Sequence, residues 1–346
     1  VSGELRLTGL TRVHGRGRPP ALDGLDLAVP AGSCVAVLGP SGSGKSTVLR
    51  LTAGLDEPTR GSVHLDGRDL AGVPPERRGV AMVFQRPLLF PHLSARDNVA
   101  YADRVRGAPR RRARARAAEF LDLVGLAGLG DRAPRELSSG QEQRVALARA
   151  LAAEPRVLLL DEPFSALDAP LREEMHELLV DLRARLAPTV LLVTHDPAEA
   201  AALADTVAVL EAGRLQQHGP VAELHARPAS LSVSRLLGGR TEVPGQVRAG
   251  VHHSPLGALA LPGPVADGPG VLVVRPEAVA LAAGHADVTG TVVRVRYRGL
   301  RPLVTVDAGG VAVHAELTPG DDVVAGAVVG LRLPVAARHV VPVRPG

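Results

Sequence analysis

The sequence predicts an α/β domain followed by a smaller all-β domain, and three observations carry that prediction. Across residues 1–237, strand-like apolar runs alternate with helical patterns, as a layered α/β fold requires. Two of the runs, Val157-Leu158-Leu159-Leu160 and Val190-Leu191-Leu192-Val193, are apolar without interruption, as strands buried on both faces of a sheet must be. From Gly238 onward, Gly, Pro and Val become dense and helical periodicity fades. Period-2 alternation replaces it, as in Val292-Val293-Arg294-Val295-Arg296-Tyr297.

The expected domains are therefore 1–237 and 238–346. Strands are expected in the first at 25–29, 34–38, 62–65, 80–84, 157–161, 190–194 and 206–210. Between Gln85 and Gln141 no comparable strand appears, and helical patterns such as 110–125 dominate. A helical subdomain inserted at about 86–155 is the expectation. Within it, the run Arg110-Arg111-Arg112-Ala113-Arg114-Ala115-Arg116 reads as a solvated helix face, because the arginines alternate with helix-forming alanines. In the second domain, 244–264 reads as weakly structured edge strands and loops, and the whole as a small barrel.

Composition narrows the partners. Hydrophobic residues make up 45% of the chain, but aromatics only 2%, and tryptophan is absent. The cores must be Leu, Val and Ala, and no aromatic platform is available for nucleic-acid bases. A formal net charge of +4 is too mild to mark a nucleic-acid surface, so no nucleic-acid partner is expected. The single cysteine, Cys34, rules out an intrachain disulfide and a cysteine zinc site, and its place in a strand suits a small buried side chain. Glu4 and Arg6 interrupt the start before an apolar run forms, so no leader is expected. No stretch approaches the roughly 18–20 apolar residues of a membrane span.

The one lysine in the chain, Lys45, lies within Gly39-Pro40-Ser41-Gly42-Ser43-Gly44-Lys45-Ser46-Thr47. Every other long basic side chain is arginine. The spacing G-x-x-x-x-G-K-S is that of a P-loop, and the strand-like run before it and helical pattern after it supply the context the motif needs. Its glycines let backbone N–H groups curl around phosphates, the ammonium reaches the β- and γ-phosphates, and the Ser46 hydroxyl binds Mg²⁺. A planar, forked guanidinium is the wrong shape for that slot. The run 157–160 ends in Asp161 and Glu162. An acid at such a strand end holds the metal that bridges the phosphates, and Glu162 is placed to polarise an attacking water. Leu137-Ser138-Ser139-Gly140-Gln141 opens a helical run, where free N–H groups and the helix dipole make an anion site. Ser138 would equally serve as an ordinary N-cap, and the residues alone leave both open.

Taken together and in this order, these residues resemble the ABC-type ATPase family over essentially the whole chain. The stretch 39–47 resembles Walker A, Gln85 the Q-loop glutamine, 137–141 the signature, 157–162 Walker B, 165–168 the D-loop, and His195 the switch histidine. The resemblance implies an ABC-type cassette of the P-loop NTPase kind, with a mixed sheet and helical subdomain, followed by a small OB-like (TOBE) domain. It implies ATP and Mg²⁺ as cofactors and a head-to-tail homodimer, with ATP between the Walker A of one subunit and the signature of the other. Lys45, Glu162 and His195 are the implied catalytic groups. Around the nucleotide it implies Gly39, Pro40, Ser41, Gly42, Ser43, Gly44, Lys45, Ser46 and Thr47, with Gln85, Ser138, Ser139, Gly140, Gln141 and Asp168. Around the metal it implies Ser46, Gln85 and Asp161.

Two positions depart from the family pattern. Ser139 stands where the signature usually has glycine, at a cost of roughly 1 kcal/mol if that position requires φ > 0. His14 stands where the family has an adenine-stacking aromatic, and histidine offers less stacking area.

A lone cassette without a span resembles an importer subunit more than an exporter half. The alternative is a non-transport ATPase acting in regulation, repair or translation. Such proteins show a long coiled coil, cysteine-rich zinc loops or a second cassette, none of which is visible. Residues 85–94, Gln85-Arg86-Pro87-Leu88-Leu89-Phe90-Pro91-His92-Leu93-Ser94, resemble the importer Q-loop region, where a permease docks. Val274-Arg275-Pro276-Glu277 and Gly290-Thr291-Val292 resemble the tail domain of importers for iron, sulfate, molybdate, thiamine, polyamines and sugars, although sugar-type members have longer tails. The resemblance thus implies a peripheral subunit on the cytoplasmic face of the membrane. It would hydrolyse ATP to energise uptake of an inorganic ion such as iron or an oxyanion, thiamine or a polyamine through a separate permease. A solute-binding protein would be an indirect partner.

Overall fold

The structure, a computed structural model, describes residues 2–343 apart from Arg16, Pro319 and Asp322. The chain forms two compact units, Val1–Val221 and Ala222–Gly346. The first begins with β1 (Leu5–Arg12), β2 (Leu22–Val29), β3 (Cys34–Leu38), α1 (Lys45–Ala53), β4 (Arg60–Leu65), β5 (Arg68–Asp69) and β6 (Val80–Val83). A helical stretch follows, α2 (Ala95–Val99), α3 (Tyr101–Val105), α4 (Arg110–Leu123) and α5 (Ser139–Ala152). It closes with β7 (Val157–Asp161), α6 (Ala169–Leu186), β8 (Thr189–Thr194), α7 (Pro197–Leu203), β9 (Thr206–Glu211) and β10 (Arg214–Gly219).

The continuous apolar runs become the middle of a six-stranded sheet, β10-β9-β3-β8-β7-β6, parallel throughout except for the edge strand β10. Every residue of β3 and β8 is buried, as are Val157–Leu160 of β7. A parallel sheet covered on both faces demands this, which is why these strands show no alternation. Leu38 pairs with Thr194 and Asp161 with Val193, so the C-terminal ends of β3, β8 and β7 lie level. A second, antiparallel sheet, β2-β1-β4-β5, shares a core with it through residues such as Leu5, Leu27, Val63, Val37 and Leu159.

In the helical stretch, α4 buries Ala113, Ala117 and Leu121 along one stripe. Its arginines are only partly a solvated face. Arg110, Arg111 and Arg112 are exposed, whereas Arg114 binds Asp131 at 2.7 Å and Arg116 binds Asp103 at 2.7 Å, joining α4 to its neighbours. Cys34 is buried, and burial pushes its thiol up to about 12. No helix among the described residues is long and apolar enough to cross a membrane.

The second unit contains α8 (Val221–Ala226), α9 (Leu231–Leu236), β11 (Thr241–Arg248), β12 (Val251–Ser254), β13 (Gly257–Ala260) and β14 (Gly268–Val274). It continues with β15 (Ala280–Leu281), β16 (Val288–Arg298), β17 (Arg301–Ala308), β18 (Val311–Glu316), β19 (Val328–Arg332) and β20 (His339–Pro342). Two five-stranded antiparallel sheets, β13-β12-β11-β14-β20 and β15-β19-β16-β17-β18, close over one core of Val243, Leu272, Val292, Val304, Val313 and Leu331. Residues 244–264 are more regular than expected: β11 is an inner strand between β12 and β14. Pro244 is accommodated because β12 pairs with β11 only from Gln246, leaving one side of β11 free at the proline.

The division between units falls after Val221, the first residue of α8, whereas the compositional change lies at Gly238. Arg275, just after β14, ties the two helices to this unit. It is 8% exposed and donates to the carbonyls of His225, Ser234 and Leu237 at 3.0 Å each. Arg275→Met is expected to leave those carbonyls unsatisfied and to lower the stability of this unit by about 2–4 kcal/mol in denaturant titration. A change within experimental scatter would contradict the tie.

Candidate active site

In an open α/β sheet, ligands bind outside the carboxyl ends of the strands. All the strand-borne site residues lie there in this chain. The loop 39–47 leaves β3, His195 follows β8, Asp161 and Glu162 end β7, and Gln85 lies just beyond β6. Strand order β3-β8-β7-β6 therefore sets them side by side, although they are far apart in sequence.

The loop is tight for identifiable reasons. A Cβ on Gly39 would collide with the Leu210 carbonyl, and one on Gly44 with the Ala21 carbonyl. Gly42 and Gly44 also hold φ of 79° and 102°, a left-handed backbone that favours glycine. Gly44 caps α1, so Lys45, Ser46 and Thr47 form its first turn, where free N–H groups and the positive end of the dipole face the loop. The Lys45 side chain is 5% exposed, and its Nζ donates to the carbonyls of Gly39 at 2.9 Å and Pro40 at 3.0 Å. Burial lowers its pKa, with Glu162 and Asp161 opposing. The Ser43 hydroxyl is buried in the same loop without a hydrogen-bond partner.

Ser46 Oγ donates to Asp161 Oδ1 at 3.0 Å. Burial raises the Asp161 pKa, the hydrogen bond from Ser46 opposing it. Glu162 holds a left-handed φ of 44°, unusual for a non-glycine, and its N–H donates to the Val193 carbonyl at 2.9 Å. That turn aims its carboxylate across the strand ends: Oε2 is 3.0 Å from His195 Nδ1 and Oε1 is 4.0 Å from Lys45 Nζ. Gln85 Nε2 donates to Ser165 Oγ at 3.1 Å, and Ser165 Oγ donates to the Glu162 carbonyl at 3.0 Å.

The remaining candidates stand apart from this cluster. Ser138 caps α5 and forms a capping box with Gln141, donating to Gln141 Oε1 from its N–H at 3.0 Å. Ser139 is the first residue of α5 and does not have a positive φ, so the cost expected for a non-glycine there does not arise. Gly140 is buried where a Cβ would collide with Leu171. Asp168 caps α6, accepting from the N–H of that same Leu171 at 3.0 Å. The N-termini of α5 and α6 thus lock together through one leucine, a link invisible in the motifs. His14 is exposed in the segment between β1 and β2.

Among the described residues no group of three or more His, Cys, Asp or Glu could hold a metal by itself. The Ser46 and Asp161 oxygens instead suit a hard cation that takes its other ligands from phosphates and water, as Mg²⁺ does. The unpartnered Ser43 hydroxyl and the buried ammonium likewise suit a phosphate chain.

Residues 22–165 match the ABC transporter family and 272–341 match the TOBE domain. The chain is 44% identical over 307 residues to the sulfate/thiosulfate import ATP-binding protein CysA of Mycobacterium tuberculosis, covering 87% of this chain and 83% of that one. The chain belongs to the ABC transporter ATP-binding family. A second ABC relative, the Fe(3+) ions import ATP-binding protein FbpC of Streptomyces avermitilis, is 46% identical over 301 residues, covering 87% of this chain and 84% of its own. Among solved ABC structures, the ATP-binding cassette MJ0796, a dimer in a post-hydrolysis state with ADP and Pi, matches at 34% identity and a TM-score of 0.57. That match covers 63% of this chain and 98% of the cassette.

Sequence inspection missed several groups that shape this ABC site. Asn98, fully buried, accepts from the Phe90 N–H and donates to the carbonyls of Phe90, Leu93 and Ser94, pinning the segment after Gln85. Arg149 donates to the Pro87 and Leu88 carbonyls at 3.0 Å each. Glu199 is 4% exposed, and burial pushes its carboxyl from 4.5 to about 7. The folded state therefore favours the protonated form, and this contribution to stability is lost as pH rises through about 7. Glu199→Gln cannot ionise, so it should gain about 2–3 kcal/mol relative to the parent between pH 5 and pH 8. Urea unfolding at the two pH values checks this, and a pH-independent difference would contradict it.

Proposed function

We propose that this chain is the ATP-hydrolysing subunit of an importer for a small inorganic ion, an oxyanion such as sulfate or a ferric ion, working through a separate membrane permease. The observation that carries the proposal is the Lys45–Glu162–His195 cluster at level strand ends, in a chain similar along 87% of its length to import ATP-binding proteins. Nothing favours the non-transport alternative.

In this proposal the 39–47 loop holds the β- and γ-phosphates with its N–H groups, and Lys45 turns from the carbonyls of Gly39 and Pro40 to the phosphate oxygens. Ser46 and Asp161, with Gln85, would hold Mg²⁺, which would supply positive charge to neutralise the phosphates. Glu162 accepts a hydrogen bond from the attacking water and polarises it, while His195 orients the carboxylate and reaches the γ-phosphate. The Ser138–Gln141 end of α5 meets the γ-phosphate bound to a second copy, its free N–H groups aimed at the anion. Asp168 belongs to the same interface, and His14 lies beside the base. Loss of the γ-phosphate on hydrolysis releases the two copies from each other.

Glu162→Gln is expected to keep ATP binding, lower turnover by roughly 10²–10⁴ and trap an ATP-bound dimer. Near-normal turnover would refute the base assignment. Lys45→Arg should abolish tight nucleotide binding at unchanged charge, since a fork cannot enter a slot this closely lined by carbonyls. Nucleotide titration giving parent-like affinity would refute that point.

In this proposal the permease docks on the segment after Gln85, at the cytoplasmic face of the membrane. Leu88 is 56% exposed, with Tyr101 and Val105 also exposed on the helical stretch. Phe90 is a poorer probe, since its ring packs on Tyr101 at 4.5 Å and under the Arg149 guanidinium. Leu88→Asp suits the left-handed φ of 45° at this position. Co-expressed with the permease, it should move the subunit out of the membrane fraction while basal hydrolysis persists. Retained membrane association would contradict the docking surface.

A further inference from the structure

We infer that Glu199 is a positioning residue for hydrolysis: through Thr194 it fixes the turn that carries His195, and so holds the imidazole against Glu162. The inference rests on the hydrolytic role proposed above for Glu162 and His195.

Three linked observations carry it. Thr194, the last residue of β8, is 1% exposed, and its Oγ1 donates to Glu199 Oε2 at 2.8 Å. The same hydroxyl accepts from the Asp196 N–H at 3.0 Å. Asp196 in turn caps α7, its Oδ1 accepting from the Ala198 N–H at 2.8 Å. The backbone on both sides of His195 is therefore fixed by one chain of hydrogen bonds ending at a buried carboxyl. In an ordinary capping box the third helical residue would bond directly to the N-cap N–H. Here a threonine hydroxyl is interposed, which brings the end of β8 into the cap.

His195 has no comparable anchor of its own. Its side chain is 55% exposed, and Glu162 Oε2 at 3.0 Å is its hydrogen-bond partner. The position of its ring thus depends on the turn beneath it. Glu199 is also a costly choice for scaffolding alone: Oε1 is buried without a partner, and a polar atom left in that state destabilises the fold. Asp196, His195 and, from α6, Arg172 are the charged groups that act on it. A buried carboxyl with one idle oxygen, two hydrogen bonds from the N–H that follows His195, is explained by the geometry it imposes there.

The test compares Glu199→Ala, Glu199→Gln and Thr194→Val with the parent and with Glu162→Gln, using the full chain. Steady-state ATP hydrolysis gives kcat and KM, and hydrogen–deuterium exchange of the nucleotide-free protein reports the segment around Asp196. Glu199→Ala and Thr194→Val are expected to lower kcat by roughly ten- to a hundredfold, the usual consequence of a small misplacement at a reacting centre. KM should stay within about twofold, since phosphate binding is untouched. Exchange around Asp196 should quicken in both, with the rest of the sheet unchanged. Glu199→Gln, whose carbonyl still accepts from Thr194, should restore kcat to within about threefold of the parent and restore protection.

Unchanged kcat in Glu199→Ala and Thr194→Val would overturn the inference. So would a fall in kcat accompanied by raised KM and faster exchange throughout the sheet, which marks a structural role. Should Glu199→Ala fail to fold, the near-isosteric Thr194→Val decides the matter alone. If Glu162→Gln hydrolyses ATP like the parent, the hydrolytic reading fails instead. Exchange at Asp196 then settles the positioning claim separately, and an unprotected amide in the parent overturns it.

Discussion

A buried ammonium whose direct partners are the carbonyls of its own loop is the constraint on which the rest of the first unit depends. Lys45 is removed from water, burial lowers its pKa, and the nearest carboxylate stands 4.0 Å away. Partial charges from carbonyls offset only part of the cost of desolvating a full charge, so the site is electrostatically prepared for an anion. Keeping Lys45 there requires a loop that turns within van der Waals distance of its neighbours, hence glycine at 39 and 44, against the Leu210 and Ala21 carbonyls. It also requires β3 to be flanked by β8 and β9, so that the loop leaves the middle of the sheet. The acids on β7 and the histidine after β8 then follow from strand register alone.

The same chain carries a second helix start with free N–H groups, that of α5, which does not join the first. Among the described residues, no hydrogen bond connects Ser138–Gln141 with the 39–47 loop. The N-terminus of α5 is instead locked to that of α6 by Gly140 against Leu171. In the function proposed above, two copies exchange these two elements, each supplying free N–H groups to phosphate. Leu171 links the two helix starts, its side chain lying against Gly140 and its N–H donating to Asp168.

Most of the candidate site's placement was legible in the sequence because its residues lie in contiguous motifs at strand ends. The seven predicted strands of the first unit are all present, with ends shifted by a few residues at most. β1 escaped because its alternation of Leu5 and Leu7 breaks at Gly9, where φ is 56° and the register with β2 and β4 shifts. β10 escaped because it is an edge strand of largely polar residues, Arg214-Leu215-Gln216-Gln217-His218-Gly219, with no apolar face to reveal it. β11 was misjudged because proline and glycine suggest a loop, and only pairing with β14 shows otherwise. Asn98, Arg149, Leu171 and Glu199 were illegible for a common reason. Each acts on residues that only the fold brings to it, so no local spacing records its role.

The central claim is that each complete catalytic site draws Lys45 and Glu162 from one copy and the α5 N-terminus from another. The most direct measurement mixes two inactive variants, Lys45→Ala and Ser138→Arg, and follows ATP hydrolysis with the mixing ratio. Each lacks one half-site but keeps the other, so a mixed pair contains one intact site and one doubly damaged site. The account predicts hydrolysis in the mixture that neither variant shows alone, greatest near equal amounts. Activity equal to the weighted sum of the two variants at every ratio would contradict it.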